Sequence, residues 1–175
     1  MLRAHDEKLS ELDAKIMKIG IIMHSQTGHT LLVGEKLREK LQNGGHEVTL
    51  ERFQNTEPPE GPQKPEHIRL DHIPNAAGYD ALIFGAWVQA FNLCPGFHLY
   101  LKQIPDFDTN NVSCFVTEQF PYKWMGGSRA LSKMKQFLEE KGAKISSSGV
   151  INWGNKKRDQ QIDKLVARFS SQYQT

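Results

Sequence analysis

The chain is expected to fold as an α/β domain of three layers, a five-stranded parallel sheet with helices on both faces. Three observations carry that expectation. Short apolar runs alternate along the sequence with longer amphipathic segments, a pattern that yields right-handed crossovers and a parallel sheet. The runs are nearly continuous rather than alternating polar with apolar, as in strands buried on both faces. The length of 175 residues, 38% hydrophobic and 24% charged, suits one hydrophobic core and argues against disorder.

Residues 1–16 read as an N-terminal extension ahead of a single domain at 17–175. Asp6, Glu7, Glu11 and Asp13 leave no apolar stretch of the kind a signal peptide needs. Leu9, Leu12 and Ile16 stand at helical spacing, so this arm is either a short helix packed on the domain or a partner chain, or an upstream start with a frayed arm. Lys18–Met23 is the first strand. The polar segment His24–Thr30 follows, and then a helix in which Leu31, Leu32, Leu37 and Leu41 recur at roughly helical spacing, stopped by Asn43-Gly44-Gly45. His46–Leu50 is the second strand. Residues 53–78 hold five prolines and two glycines with little periodicity, and read as a long surface excursion, either a linker or a flap beside a site.

Ala81–Gly85 is the clearest strand, and Gly85–Asn92 is read as the loop after it. Pro95 suits the first turn of a helix over Cys94–Gln103. Val112–Thr117 is another buried strand. Ser128–Lys141 is an amphipathic helix with Leu131, Met134, Phe137 and Leu138 on one side and Gly142 as its stop. Lys144-Ile145 and Val150-Ile151 flank a serine run in the last strand. A final helix over Lys156–Gln172 turns Ile162, Leu165, Val166 and Phe169 inward.

Composition narrows the function. Twenty-two basic against 20 acidic residues leave a net charge of +2, too even to argue for nucleic acid or an anionic membrane. No apolar run approaches the roughly 20 residues of a spanning helix. Cys94 and Cys114 form no CxxC pair, which argues against a disulfide framework or a thiolate zinc site and for a reducing, cytoplasmic setting. The histidines show no HExxH or other close ligand spacing, so no metal is expected.

Ligands of open parallel sheets bind beyond the carboxyl ends of the strands. Three loops there are distinctive. Ser25-Gln26-Thr27-Gly28-His29-Thr30 places three hydroxyls and a glycine at a helix N-terminus, where free N–H groups and the helix dipole favour an anion. It lacks the lysine and glycine spacing of nucleotide-triphosphate and dinucleotide loops, and suits one phosphate held by neutral donors. A simple N-cap is the alternative. Ala86-Trp87-Val88-Gln89-Ala90-Phe91 offers aromatic faces for a flat ring at Trp87 or Phe91, unless Trp87 caps the core. Glu118–Gly127 holds Phe120, Tyr122 and Trp124, which form a wall opposite the second loop, cover the sheet edge or mediate self-association.

These residues also carry a family likeness. Lys18–Thr30, KIGIIMHSQTGHT, resembles the flavodoxin phosphate-loop signature, with its hydroxyl-x-Thr-Gly-x-Thr core. Tyr79–Gln103 is similar to that family's third strand, flavin-contacting loop and following helix, and Val112–Gly142 to its fourth strand, loop and helix. The resemblance covers 17 to about 170. It implies a flavodoxin-like fold with strand order 2-1-3-4-5 and FMN at the switch between strands one and three. Ser25, Gln26, Thr27, Gly28, His29 and Thr30 would then hold the FMN phosphate. Ala86, Trp87, Val88, Gln89, Ala90 and Phe91 would flank the isoalloxazine on one side, and Thr117, Glu118, Gln119, Phe120, Tyr122 and Trp124 on the other. His29 replaces the asparagine common in this loop, and His24 is assigned no role.

Electron carriers of that family are typically strongly acidic and dock on basic partners, which this mildly basic chain does not match. The implied function is therefore an FMN-dependent oxidoreductase drawing on NAD(P)H to reduce a quinone or similar acceptor. The alternatives are an electron carrier between protein partners and a flavin-free domain that binds a partner protein. The aromatic loops also suit a homodimer. Cys94 has no base beside it in sequence, and Lys156-Lys157-Arg158 reads as a solvated face or a contact to a nicotinamide cofactor's phosphate.

Overall fold

The computed structural model of the chain describes residues 15–57 and 64–174. Most of the expected N-terminal helix lies outside the described residues, as does part of the proline-rich excursion. The elements are β1 (Lys18–His24), α1 (His29–Asn43), β2 (Glu47–Phe53), β3 (Ala81–Gln89), β4 (Asn92–Leu93), α2 (Pro95–Gln103), β5 (Asn111–Glu118), α3 (Gly127–Glu140), β6 (Lys144–Asn152) and α4 (Arg158–Ser171). Single 3-10 turns stand at Pro65–His67 and Lys123–Met125.

The sheet runs β2-β1-β3-β5-β6, all parallel, with β4 pairing antiparallel to β3. Counting the five long strands, this is the order 2-1-3-4-5. Each strand sends alternate side chains to opposite faces. Ile19, Ile21, Met23, Ile83 and Phe115 pack with Val33 and Leu37 of α1 and Leu165 and Phe169 of α4. Ile22, Leu82, Phe84, Val112 and Cys114 pack with Phe97 and Tyr100 of α2 and Met134 and Leu138 of α3. Fully burying a side chain of this size contributes about 1.5–3 kcal/mol, so these two layers dominate the stability.

The end of β3 differs from the sequence reading. The expected strand at Ala81–Gly85 does not stop at the glycine. It continues to Gln89, paired with β5 as far as Trp87 and Thr117, and then folds back so that Val88 and Gln89 face Leu93 and Asn92. The turn residues Ala90 and Phe91 have φ of 48° and 62°. Two positive φ values are what a tight hairpin needs, and asparagine and glycine are the residues that usually supply them. The Ala-Phe pair therefore gave no turn signal. The serine run lies within the last strand, as its sequence suggests. It is continuous strand on the sheet edge, with a register shift opposite Val112 and Ser113.

The excursion is tied back to the domain where it is described. Asn55 and Leu70 form an antiparallel bridge, and the buried Tyr100 hydroxyl donates to the Pro74 carbonyl at 2.9 Å. Removing that hydroxyl leaves a carbonyl without its partner at a cost of about 1–2 kcal/mol. Tyr100→Phe should lower the unfolding free energy by that amount in urea titration, while a Tyr122→Phe control in the exposed loop should leave it unchanged.

Candidate functional site

The carboxyl ends of β1, β3, β5 and β6 meet along one edge of the sheet, and the three loops picked out by sequence gather there. The first is shaped from below. Arg52 of β2 donates through Nε to the Ser25 carbonyl at 2.8 Å and through Nη2 to the Gln26 carbonyl at 3.3 Å. With the Ser25 and Gln26 carbonyls held on that side, the planar trans peptides turn the Gln26 and Thr27 amides the other way. The Ser25 amide is used by the Phe53 carbonyl, and the Ser25 hydroxyl accepts from the Leu31 amide at 3.3 Å. Among the described residues, the amides of Gln26, Thr27, Gly28, His29 and Thr30 have no such partner. Gly28 precedes the helix with φ of 97° and no side-chain cap, and nothing lies within 4 Å of where its Cβ would stand. Unpartnered amides, a helix N-terminus of 15 residues and open space above the glycine make a concave donor surface suited to a phosphate. A plain N-cap accounts for one of these amides at most.

The walls of this cradle come from farther along the chain. Thr30 and Thr117 join hydroxyls at 2.8 Å, fixing the start of α1 to the end of β5. The His29 ring stacks on Trp153, centroids 3.9 Å apart and planes 11° from parallel. The Arg158 guanidinium covers the same indole, 4.9 Å from its centroid. Partial burial and then the Arg158 charge lower the His29 pKa, so the ring is neutral at pH 7. Arg158 thus supplies a cation beside a loop that has none of its own. Sequence reading singled out its basic run but gave it no place here, and it missed Trp153.

Behind the second loop lies a buried polar network. Trp87 donates from Nε1 to His24 Nδ1 at 2.7 Å, and His24 Nε2 meets Asn55 Oδ1 at 2.9 Å. Since the indole can only donate, His24 Nδ1 is the acceptor and the proton sits on Nε2, directed at Asn55. Cys94 Sγ lies 3.5 Å from the same Nδ1. Burial draws the His24 pKa down to about 4 and pushes the Cys94 thiol up to about 12, so both are neutral. Trp87 is thereby tied into the domain through its indole N–H, its ring half-buried. Ala86 is fully buried in β3, and Val88, Gln89 and Ala90 form the hairpin arm.

The second and third loops meet directly. Phe91 and Phe120 stack with centroids 5.3 Å apart and planes 3° from parallel. They remain 55% and 39% exposed, and Tyr122 and Trp124 stack on each other at 54% and 76% exposure. The backbone of Phe91 lies against Gly126, whose φ is 123°. Gln119 is exposed, whereas Thr117 and Glu118 are buried. The Glu118 carboxylate sits at the start of α3, bonded to Asn152 and to the Gly127 amide, and its Oε2 has no partner among the described residues. Desolvation raises its pKa despite those two bonds. Phe91, Phe120, Tyr122 and Trp124 are therefore the loop residues with aromatic faces open to a ligand.

No protein-family model matches the chain, and no curated protein matches its sequence. Solved structures do. Oxidised flavodoxin 1 from Bacillus cereus matches with a TM-score of 0.61 at 16% identity, over 89% of this chain and 96% of that one. A mutant of the flavo di-iron protein from Thermotoga maritima matches with a TM-score of 0.60 at 19% identity, over 98% of this chain and 39% of the longer protein. A flavoprotein in complex with FMN from Lactobacillus acidophilus NCFM matches at 0.51 and 17%, over 85% of this chain and 98% of that one. At these identities the likeness is one of fold, and the fold is flavodoxin-like.

The His24 network has a consequence for pH. The folded-state pKa of about 4 lies below the ordinary value of 6.5. The unfolded chain therefore binds more protons in between, and stability falls as pH drops from about 6.5 toward 4. Between pH 7 and pH 5 this group alone should cost about 2 kcal/mol. Urea unfolding at both pH values should show that loss, and His24→Gln should reduce the difference by the same amount.

Proposed function

We propose that the chain binds FMN noncovalently and acts as an oxidoreductase that takes electrons from NAD(P)H and passes them to a quinone or similar acceptor, in a reducing compartment such as the cytoplasm. The observation that carries the reading is the set of unpartnered amides from Gln26 to Thr30 at the N-terminus of α1, the first two turned away from Arg52. The flavodoxin-like fold supports it, because the cradle stands at the switch between β1 and β3.

The residues present fit the cofactor. The amides and the Thr27 hydroxyl would hold the phosphate, with Arg158 nearby to offset its charge. The faces of Phe91, Phe120, Tyr122 and Trp124 would flank the ring system. FMN, when bound, supplies the hydride and electron chemistry, and the protein supplies orientation and a shaped electrostatic surround. Neutral His24, His29 and Cys94 place no titrating charge beside it near pH 7.

The exposure of Tyr122 and Trp124 also favours a second reading, in which the third loop contacts a protein partner and the chain is an electron carrier. Turnover separates the two. Steady NAD(P)H oxidation with a soluble quinone and no added protein supports the enzyme. Its absence in an FMN-loaded chain supports the carrier.

Two variants test the cradle. Thr27→Val removes one donor and should weaken FMN about tenfold. Gly28→Pro cannot adopt the positive φ of this turn, since proline holds φ near −65°, and should weaken FMN about a hundredfold or more. Fluorescence titration of apo-protein measures both, and unchanged affinity in both would refute the phosphate-loop assignment.

A further inference from the structure

Beside the third loop, a groove of about 510 Å³ runs between α3, α4 and the open edge of β6. Its charge is one-sided. Lys123, Lys135, Lys164 and Arg168 line it, and no aspartate or glutamate does. None of these four cations forms an ion pair among the described residues. That concentration stands out in a chain whose net charge is only +2. Arg168 is fixed in place by its bonds to the Ser147 hydroxyl at 3.2 Å and the Ser148 carbonyl at 2.6 Å, which leave guanidinium donors free. Ser128 and Ser132 add hydroxyls, while Leu131, Val150 and Leu165 give the groove an apolar floor.

Cations that cluster without carboxylates repel one another, and an anion relieves that repulsion. The concave shape and small volume match a small molecule rather than a protein face. An apolar floor beside cations and hydroxyls suits a flat base joined to phosphates. We propose that this groove binds the diphosphate portion of a nucleotide. Lys123 links it to the aromatic loop, lying between Tyr122 and Trp124 in the chain. On the NAD(P)H reading given above, on which only this last identification rests, the groove seats the phosphates of the dinucleotide donor.

ADP and adenosine are the probes, titrated at low salt into the full chain with excess FMN present and followed by backbone amide NMR. ADP should saturate, with its shifts centred on Lys135, Gly149, Val150 and Lys164. Adenosine should bind at least tenfold more weakly. The double variant Lys135→Gln/Lys164→Gln should weaken ADP at least tenfold and leave the FMN affinity unchanged. Lys133→Gln, on α3 but outside the groove, should match the parent. With NADPH as substrate, the double variant should raise KM with little change in kcat. No saturable shift in the groove, equal binding of adenosine, or an unchanged ADP affinity in the double variant would each overturn the proposal. Loss of the FMN reading would show separately, as a failure of the chain to quench flavin fluorescence while the groove amides still respond to ADP.

Discussion

The direction of one short loop governs what this sheet can do. A parallel sheet brings the carboxyl ends of its strands to one edge, but it does not decide whether the backbone there offers donors or acceptors. In this chain the choice is made by Arg52, which engages the Ser25 and Gln26 carbonyls from the neighbouring strand. The Ser25 amide is taken by the Phe53 carbonyl, and the amides from Gln26 to Thr30 are left without partners among the described residues, at the positive end of the α1 dipole. The Thr30–Thr117 hydroxyl pair then locks the helix start to the middle of the sheet. The walls of the site, from Trp153 to Phe91, are arranged around that cradle.

A second layer of polar groups supports the strand ends from inside. Buried polar atoms are costly unless hydrogen-bonded. His24, Asn55 and Trp87 satisfy one another, and a neutral imidazole is the state that lets them do so. Glu118 is less well satisfied, since one oxygen is bonded and the other is not. The first network holds the β3 hairpin against β1, and the second joins the third loop to β6 and α3. The aromatic loops are thus carried on rigid supports, with only their outer faces exposed.

Much of this was legible in the sequence because it depended on local pattern. Continuous apolar runs marked the parallel strands, and their alternation with amphipathic helices marked the layers. Ser25–Thr30 stood out because hydroxyls and a glycine fell together after a strand. What was not legible depended on contacts between distant segments. Nothing local in Trp87 shows that its indole N–H will find His24. His29 meets Trp153 only because β1 and β6 end on the same edge. The Ala90-Phe91 turn uses positive φ without the residues that normally announce it, so the extension of β3 was read as loop. The sequence begins the third loop at Glu118, whereas β5 continues through Glu118 and buries it.

Whether the free amides of this loop hold a phosphate is reported most directly by their own resonances. The measurement is an amide NMR titration of the apo-protein with FMN, followed at Gln26, Thr27, Gly28, His29 and Thr30. Large downfield shifts of these amide protons, complete at one equivalent, are expected if the loop holds the phosphate, because each gains a charge-assisted hydrogen bond. Unmoved amides in a folded protein with saturating FMN present would contradict that role.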